Sequence, residues 1–302
     1  MSEGIITAAD LKAQEWKYYF VLFAWPLYLF SLFYLYSRIG LWSVFYMIFP
    51  GIYIFSWLGY LMHESWHKYV PGVNNGFFYY VFSIMLLTDP QVYKILHGFH
   101  HSMVNTYEDN EFHPFGRINN RFFRALYNIL EIITGIAFLS VAEQIILPTH
   151  PKYRDKFSKK GAVTAGLLIL LFLAGVSAAA MIVFKLSMGQ VIAPLLINLW
   201  LQSFLLHHSQ LVEHGNLIAE GPWDRRNILT RNLKPSGPLE KTFLLLTHGD
   251  SQEHVLHHTK VGIHSRPFPG RIPMPEGAVE ITMPQYAGIL LDMMTGKETI
   301  LK

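Results

Sequence analysis

The chain has 302 residues and a composition that argues against a water-soluble protein. Hydrophobic residues make up 51% and charged residues only 15%, where an ordinary globular chain carries about 25% charged residues. The formal net charge of +3 is spread without a basic block, which argues against a nucleic-acid partner. The lack of cysteine excludes zinc–thiolate sites, iron–sulfur clusters and cysteine nucleophiles. The 15 histidines direct attention to metals bound by imidazole.

Four segments are apolar enough to cross a membrane as helices, which takes about 20 residues each. Short turns join them into two hairpins. Lysines and arginines precede the first and third segments, so the positive-inside rule places both termini in the cytoplasm. We expect the first segment to be a permanent span, because no small-residue cleavage site follows it. The predicted spans cover residues 18–36, 41–62, 163–184 and 191–206, and the predicted cytoplasmic segments cover residues 63–160 and 207–302.

Two further apolar stretches are too short or too interrupted to span. Residues 77–87 form a short stretch, and residues 122–147 include Glu131, Glu143 and Gln144. Both are predicted to be helices in the membrane interface, with a fifth span at the second as the alternative. The part after Asn216 is rich in proline and glycine and is predicted to be irregular. The sequence thus predicts an all-α membrane protein with about four transmembrane helices in two hairpins, interfacial helices and a histidine-rich cytoplasmic cap, all in a single domain over residues 1–302.

Histidines recur in short motifs with helical spacing. His63 and His67 are four residues apart, directly after the second span, so a continued helix places both rings on one face. The pattern H-x-x-H-H occurs twice, and one more histidine follows the fourth span. An isolated histidine such as His248 is more typical of an ordinary hydrogen-bonded residue. The candidate metal ligands are His63, His67, His97, His100, His101, His214, His254, His257 and His258.

Nine imidazoles exceed the four to six positions that one zinc or iron ion offers, so two ions are predicted. Imidazole-rich sites suit iron(II), copper or zinc, and the residues alone do not choose among them. Nearby polar side chains are expected to orient the rings, and Glu213 is the strongest of these. The sequence leaves open whether His113, His207 or His208 also binds metal. The other orienting candidates are Glu64, Glu108, Asp109, Glu111, Asp250 and Glu253.

The order of these motifs after two membrane hairpins resembles the integral-membrane fatty acid desaturase and alkane hydroxylase superfamily. The resemblance covers roughly residues 18–267. It implies that the nine histidines hold two non-haem irons that activate O2 at the cytoplasmic face. It also implies that Gln210 occupies the place of a water-bridging asparagine. Residues 63–68 and 213–215 are similar to alkane hydroxylase motifs. Residues 97–101 have the desaturase spacing, and residues 111–113 are similar to a ketolase pattern. The resemblance therefore leaves the reaction outcome open.

The resemblance implies oxidation of an unactivated C–H bond in a long acyl chain or hydrocarbon that partitions into the bilayer. Desaturation and hydroxylation are nearly equal alternatives, and decarboxylation and ketolation are minor ones. No G-x-G-x-x-G follows a strand, so no flavin or nicotinamide site is expected. Electrons would come from a separate chain such as ferredoxin, rubredoxin or cytochrome b5 with its reductase.

Two other classes of protein remain as alternatives. The run His63-Glu64-Ser65-Trp66-His67 matches the H-E-x-x-H signature of zinc metalloproteases, with Glu64 as general base. That interpretation needs only three ligands and leaves about six histidines unexplained. A non-catalytic metal-binding or transport protein would place coordinating polar residues inside the spans, where the sequence has few.

Overall fold

The computed structural model describes residues 6–137, 140, 142–143, 147, 150–260 and 268–301. This part of the chain is mostly helical. The helices are α1 (Ala8–Lys12), α2 (Glu15–Ile39), α3 (Val44–Tyr46), α4 (Ile52–His67), α5 (Asn75–Met85), α6 (Pro90–Met103), α7 (Arg121–Thr134), α8 (Lys159–Phe184), α9 (Met188–His214), α10 (Trp223–Ile228), α11 (Pro238–Leu246), α12 (His254–Thr259) and α13 (Met283–Met294). The strands are β1 (Leu217–Ala219), β2 (Arg231–Leu233), β3 (Val279–Ile281) and β4 (Thr299–Leu301).

Among the described residues, three helical runs are long and apolar enough to cross a membrane. They are Ala8–His67, Lys159–Phe184 and Met188–His214. The first run includes two of the predicted spans, residues 18–36 and 41–62, and the other two runs contain the remaining pair. The last run is longer than predicted, because the helix continues through the polar residues after residue 206 as far as His214.

The first run consists of two antiparallel halves. The ring centroids of Trp16 and Trp57 lie 5.7 Å apart, and those of Tyr28 and Tyr46 lie 5.2 Å apart. Gly40 reverses the chain with a φ of +55°, a conformation that a residue with a Cβ adopts only with strain. A 3₁₀ turn and a π-helical turn then lead into α4.

The second hairpin, α8 and α9, has strong helix boundaries. Ser158 accepts a hydrogen bond from the Gly161 amide at 3.1 Å and caps the start of α8. Lys185 ends α8 in the left-handed conformation. All of α8 is described, and only Ala165 and Ala180 along it are buried. Such an apolar, uncovered helix is typical of a surface in contact with lipid.

The main core lies between α2, α4 and α5. Tyr18 contacts Phe78 and Phe82 at ring-centroid distances of 5.2 and 6.1 Å. The predicted short helix at residues 77–87 is therefore present as α5, and its buried face belongs to this core. Asp89 accepts a hydrogen bond from the Gln91 amide and starts α6, which carries the second histidine motif.

The predicted helix over residues 122–147 is interrupted. Helix α7 ends at Gly135, whose φ is +65°, and a Cβ there would meet the backbone carbonyl of Ser203 in α9. Along α7, Phe122 is exposed while Glu131 is buried, so the helix has one apolar outer face, as an interfacial helix requires. Gln144 lies outside the described residues.

The part after Asn216 is more regular than predicted. Strand β1 pairs in parallel with β4, and β2 pairs in parallel with β3. The expectation of an irregular cap was wrong, because each three-residue strand finds its partner more than 40 residues away, and local periodicity carries no signal for such pairing. Helix α13 follows β3 and packs against α7. The fold is thus mainly α, with two small parallel sheets in the described residues.

Candidate metal centre

Four helices deliver the nine candidate histidines to one region. His63 and His67 occupy the last turn of α4, and the second motif lies in the C-terminal half of α6. His214 is the last residue of α9, and the third motif forms α12. Seven of the nine are buried, while His67 and His101 are partly buried. The structure therefore brings together all of the histidines that the sequence singled out.

Five of the histidines form cluster 1, defined as His63, His67, His97, His101 and His257. One ring nitrogen from each lies within 4.8 Å of the others. The Nε2 atom of His257 is 3.1 Å from Nε2 of His63 and 3.1 Å from Nε2 of His101. His101 Nε2 is also 3.1 Å from Nε2 of His97. Cluster 1 thus joins residues of α4, α6 and α12.

The other four histidines form cluster 2, defined as His100, His214, His254 and His258 together with Glu213. The Nε2 atom of His254 lies 3.1 Å from Nε2 of His214 and 3.0 Å from Nε2 of His258. His258 Nε2 is 3.3 Å from Nε2 of His100. Glu213 Oε2 lies 3.3 Å from His254 Nε2. The strongest orienting candidate from the sequence is therefore at the cluster itself.

Each H-x-x-H-H motif divides between the two clusters in the same way. Its first and last histidines share one cluster, and its middle histidine joins the other. With 3.6 residues per turn, positions i and i+4 differ by about 40° around the helix, whereas i+3 and i+4 differ by about 100°. The outer pair of the motif therefore faces one point, and the middle ring faces a second point beside it.

Hydrogen bonds alone do not account for this packing of nitrogens. A neutral imidazole nitrogen carries either a proton or a lone pair, so it makes one such bond in the ring plane. Yet His257 Nε2 faces two Nε2 atoms at 3.1 Å, and His254 Nε2 faces two at 3.1 and 3.0 Å. With metal–nitrogen bonds of about 2.1 Å, ligands at right angles lie ~3.0 Å apart and opposite ligands ~4.2 Å apart. The spacing fits one ion in each cluster.

Polar side chains hold the opposite edges of several rings. His100 Nδ1 lies 2.7 Å from Asp109 Oδ2, and His97 Nδ1 lies 3.1 Å from Glu111 Oε2. His214 Nδ1 donates to Asn105 Oδ1 at 3.0 Å. Such acceptors place the proton on Nδ1 and leave Nε2 free to bind a metal.

The charges around the rings favour a cation. Burial lowers the pKa of His258 well below its ordinary value, and His100 and His254 lower it further, so the ring stays neutral, as a ligand must be. Burial also lowers the pKa of His100, but the carboxylates of Asp109 and Glu111 outweigh it and hold that pKa above its ordinary value. Carboxylates that favour a proton on His100 equally favour a metal ion at its other nitrogen.

Several candidates from the sequence lie elsewhere. Gln210 contacts His207 Nδ1 at 2.9 Å through Oε1, and His207 Nε2 contacts Glu131 Oε1 at 3.1 Å. His208 contacts the hydroxyl of Tyr286. Within the described residues, neither His207 nor His208 joins a histidine cluster.

The remaining orienting candidates differ in position. Glu64 Oε1 is 3.4 Å from Nδ1 of its neighbour His63. Glu108 is exposed, and Glu253 accepts a hydrogen bond from the Gly270 amide. His113 is partly buried and lines a second, smaller cavity. The side chain of Asp250 lies outside the described part of the chain.

Sequence reasoning missed Asn105 and the contact between Glu131 and His207. Asn105 follows the helix that carries the second motif, with a φ of +57°, and contacts His214, which is 109 residues further along the chain. Glu131 was noticed only as an interruption of an apolar stretch. A charged residue on the buried side of an otherwise amphipathic helix was the signal that could have identified it, because such a residue needs a partner.

A cavity of about 150 Å³ lies beside both clusters. Its apolar walls come from the membrane-type helices α4 and α9 and from the connection after α7. Polar groups line it near the clusters, among them Glu143, whose pKa burial raises well above its ordinary value. The lining includes His63, His97, His100, His214 and His254 together with Phe55, Gly59, Leu86, Ile136, Leu206 and Gln210.

Uncovered apolar helices and two histidine clusters define a membrane-associated metal-binding protein. A family model described as fatty acid desaturase matches residues 39–269, which is more than half of the chain, and the chain belongs to this family. The resemblance predicted from the order of the histidine motifs is confirmed. The protein is therefore an oxidoreductase of lipid metabolism. A comparison with curated proteins found no match.

Proposed function

We propose that this protein catalyses the O2-dependent oxidation of an unactivated C–H bond in a long acyl or hydrocarbon chain, by desaturation or hydroxylation. The nine histidines of clusters 1 and 2 would hold two iron ions, one in each cluster. Iron bound there supplies the electrons and the redox chemistry that O2 activation requires. Further electrons come from a separate reductase system of the ferredoxin, rubredoxin or cytochrome b5 type.

The observation that carries this proposal is the division of nine imidazoles into two adjacent clusters. Cluster 1 supplies five nitrogens and cluster 2 supplies four with a carboxylate at its edge. A single ion uses four to six ligands, so two ions account for the whole set. A nitrogen-rich set without thiolates and with a carboxylate beside it is a donor set that iron(II) accepts.

The cavity supports a lipid-like substrate. It reaches the rings of both clusters, and Phe55, Gly59 and Leu206 in its wall belong to helices that suit the membrane. A chain that enters between α4 and α9 would bring a methylene group to the rings without leaving an apolar environment. Burial of that chain also removes water from the reacting carbon.

We further propose four membrane crossings in two hairpins, with the clusters on the cytoplasmic face. The antiparallel halves of Ala8–His67 support two crossings, and α8 and α9 support two more. Both motif-bearing ends, His63–His67 and His214, then emerge on the same side. The basic residues before α8 support a cytoplasmic assignment for that side.

The chain's own residues have positioning tasks in this reaction. Asp109, Asn105 and Glu111 fix the orientation and proton position of three rings through the contacts described above. Outer contacts of this kind typically change metal affinity by about 10- to 100-fold.

The zinc protease alternative is less well supported by the site. A catalytic zinc takes three protein ligands and keeps an open position for water. His63 and His67 of the H-E-x-x-H motif share cluster 1 with three more histidines. Glu64 lies against His63 Nδ1, on the edge of the ring away from the Nε2 atom that faces cluster 1.

Metal analysis and turnover test the proposal together. The purified protein, loaded with iron under reducing conditions, is expected to hold two irons per chain. With a reductase, O2 and a panel of acyl and alkane substrates, it should give an alkene or alcohol detected by mass spectrometry. His67→Ala should lower the iron content and abolish turnover, while His248→Ala, which removes a partly buried ring outside the clusters, should keep the full iron content and turnover. One zinc per chain and peptide cleavage without O2 would support the protease instead.

A further inference from the structure

His207 is a fully buried histidine between two oxygen atoms. Its Nε2 atom lies 3.1 Å from Glu131 Oε1 and its Nδ1 atom lies 2.9 Å from Gln210 Oε1. Its relative exposure is 0% and that of Glu131 is 4%. Neither residue belongs to clusters 1 or 2, so metal binding does not explain this buried pair. A buried carboxyl and imidazole are costly unless each has a partner.

The structure places the oxygen of the Gln210 amide toward His207 Nδ1, and the number of protons in this group follows from that orientation. Both oxygen atoms are acceptors, so both ring nitrogens of His207 would carry protons if Glu131 is a carboxylate. If Glu131 is a carboxylic acid, it donates to Nε2 and the ring is neutral. In either case the pair of Glu131 and His207 holds one proton more than a carboxylate beside a neutral ring.

Loss of that proton would reverse the Gln210 amide. A neutral ring that donates from Nε2 to the Glu131 carboxylate has only a lone pair at Nδ1, and this lone pair repels the amide oxygen. The amide then satisfies Nδ1 by turning its NH₂ group toward it. The other end of the amide, which faces away from His207, changes from donor to acceptor.

The three residues connect two cavities. Gln210 lines the cavity beside the clusters, and Glu131 lines a second cavity of about 40 Å³. The second cavity has room for roughly two waters, and the exposed Phe115 is part of its wall. A proton on the pair can therefore exchange with solvent on one side, while the Gln210 amide acts on the other.

We propose that Glu131, His207 and Gln210 form a proton-dependent positioning relay. The pair stores one exchangeable proton, and the presence of that proton turns the NH₂ end of Gln210 toward the reaction cavity. Gln210 then offers a hydrogen-bond donor to an oxygen atom beside the clusters only while the relay is protonated. The relay itself needs no metal, and its importance for catalysis rests on the proposed function.

Other polar groups face the relay from each packed element. Tyr127 lies one turn before Glu131 on α7, and the charge of Glu131 reaches Tyr127 and His113. Tyr286 of α13 faces the same carboxylate, and Tyr286 also contacts His208, the residue after His207. The main test variant, Glu131→Gln, leaves these neighbours unchanged, so that only one titratable group of the relay is altered.

The test uses the metal-free protein first. In full-length protein with ¹⁵N-labelled histidine, the His207 ring is assigned by its loss in His207→Gln, and the Glu131 carboxyl by its infrared band in wild type minus Glu131→Gln. We expect either a doubly protonated ring with a carboxylate or a neutral ring with a carboxylic acid. Glu131→Gln should convert the ring to a neutral form with no pH dependence. A neutral ring beside a carboxylate throughout pH 6–8 would overturn the proposal.

A second variant covers the case in which the first does not fold, and a control variant tests whether the change in signal is specific to the relay. If Glu131→Gln does not fold, Gln210→Met removes the acceptor at Nδ1 and should shift the ring toward a singly protonated form. His248→Gln removes a partly buried ring that packs against Tyr53 and Trp57, outside the relay, and should leave the His207 signal unchanged.

The loaded enzyme tests the role in catalysis. We expect Glu131→Gln to lower kcat by about 10- to 100-fold with little change in KM and to remove one ionisation from the pH profile of kcat. An unchanged pH profile would refute the catalytic role even if the proton is present. If no substrate is oxidised by any form, the proposed function fails, while the ¹⁵N and infrared results still decide the proton site.

Discussion

His257 and His258 are adjacent in α12, yet they belong to different clusters, and their substitution by alanine separates the two predicted metal sites. His257 lies 3.1 Å from two rings of cluster 1, and His258 lies 3.0 and 3.3 Å from two rings of cluster 2. His257→Ala leaves four histidines in cluster 1, and His258→Ala leaves three in cluster 2. Each variant should therefore weaken one site selectively.

The expected size of the effect follows from the ligand count. Loss of an outer contact to a ligand already lowers metal affinity by about 10- to 100-fold. Loss of the ligand itself should lower the metal affinity by more than about 100-fold, which corresponds to about 2.8 kcal/mol of binding free energy. The two side chains are similarly buried, at 3% and 0% exposure, so the cost of the cavity left behind is matched between the variants and cancels in their comparison.

The assay is iron content after dialysis against a chelator, combined with Mössbauer spectroscopy of the remaining iron. We expect about two ions per chain in the unchanged protein and about one in each variant, with different spectra because the remaining donor sets differ. His248→Ala, whose ring packs against Tyr53 and Trp57, should keep two ions. Two ions retained in either cluster variant, or identical spectra of the remaining iron in both, would refute the assignment of adjacent histidines to separate clusters.

Three further predictions concern residues around the site. Asp109→Asn, which weakens the acceptor that orients a histidine of cluster 2, should lower iron affinity by about 10- to 100-fold in a chelator competition, whereas the exposed neighbour variant Glu108→Gln should not. Gly135→Ala should lower the thermal unfolding midpoint in detergent by several degrees, because the added Cβ would meet the backbone of α9. Gly166→Ala, which has open space around it, should leave the midpoint unchanged. Equal midpoints of the two variants would count against the close approach of Gly135 to α9. Hydrogen bonding to arginine lowers the pKa of Glu298 to about 2. The ionised Glu298 therefore stabilises the fold above its unfolded pKa of about 4.5, and this stabilisation is lost as the pH falls toward 2. Glu298→Gln should lower the free energy of unfolding by about 1 kcal/mol at pH 7 after allowance for solvent screening, and a difference from the unchanged protein that persists at pH 2 would contradict this.

The long apolar helices and the helical spacing of the first two histidines could both be predicted from the sequence. Helices α8 and α9 are recognisable by length and hydropathy alone, because a bilayer requires a long apolar run and tolerates few charges inside it. His63 and His67 could be assigned to one face of a helix because spacing along a helix fixes direction. These features are local, so the sequence carries them without knowledge of the fold.

The number of candidate ions also followed from the sequence, because nine imidazoles exceed what one ion binds. The division of ligands did not. Helical spacing separates His100 from His97 and His101, but only the packing of α6 against α12 decides that His100 meets His258 while His101 meets His257.

What the sequence by itself determined is the membrane character, the helical spacing of the ligands and the family chemistry, all of which depend on composition and on neighbours within about one turn of helix. The tertiary structure alone decided that Asn105 contacts His214 across 109 positions, that β1 pairs with β4, and that Glu131 meets His207. These contacts join segments far apart in the chain. Packing and the need to satisfy buried polar groups select them, and neither leaves a periodic trace in the sequence.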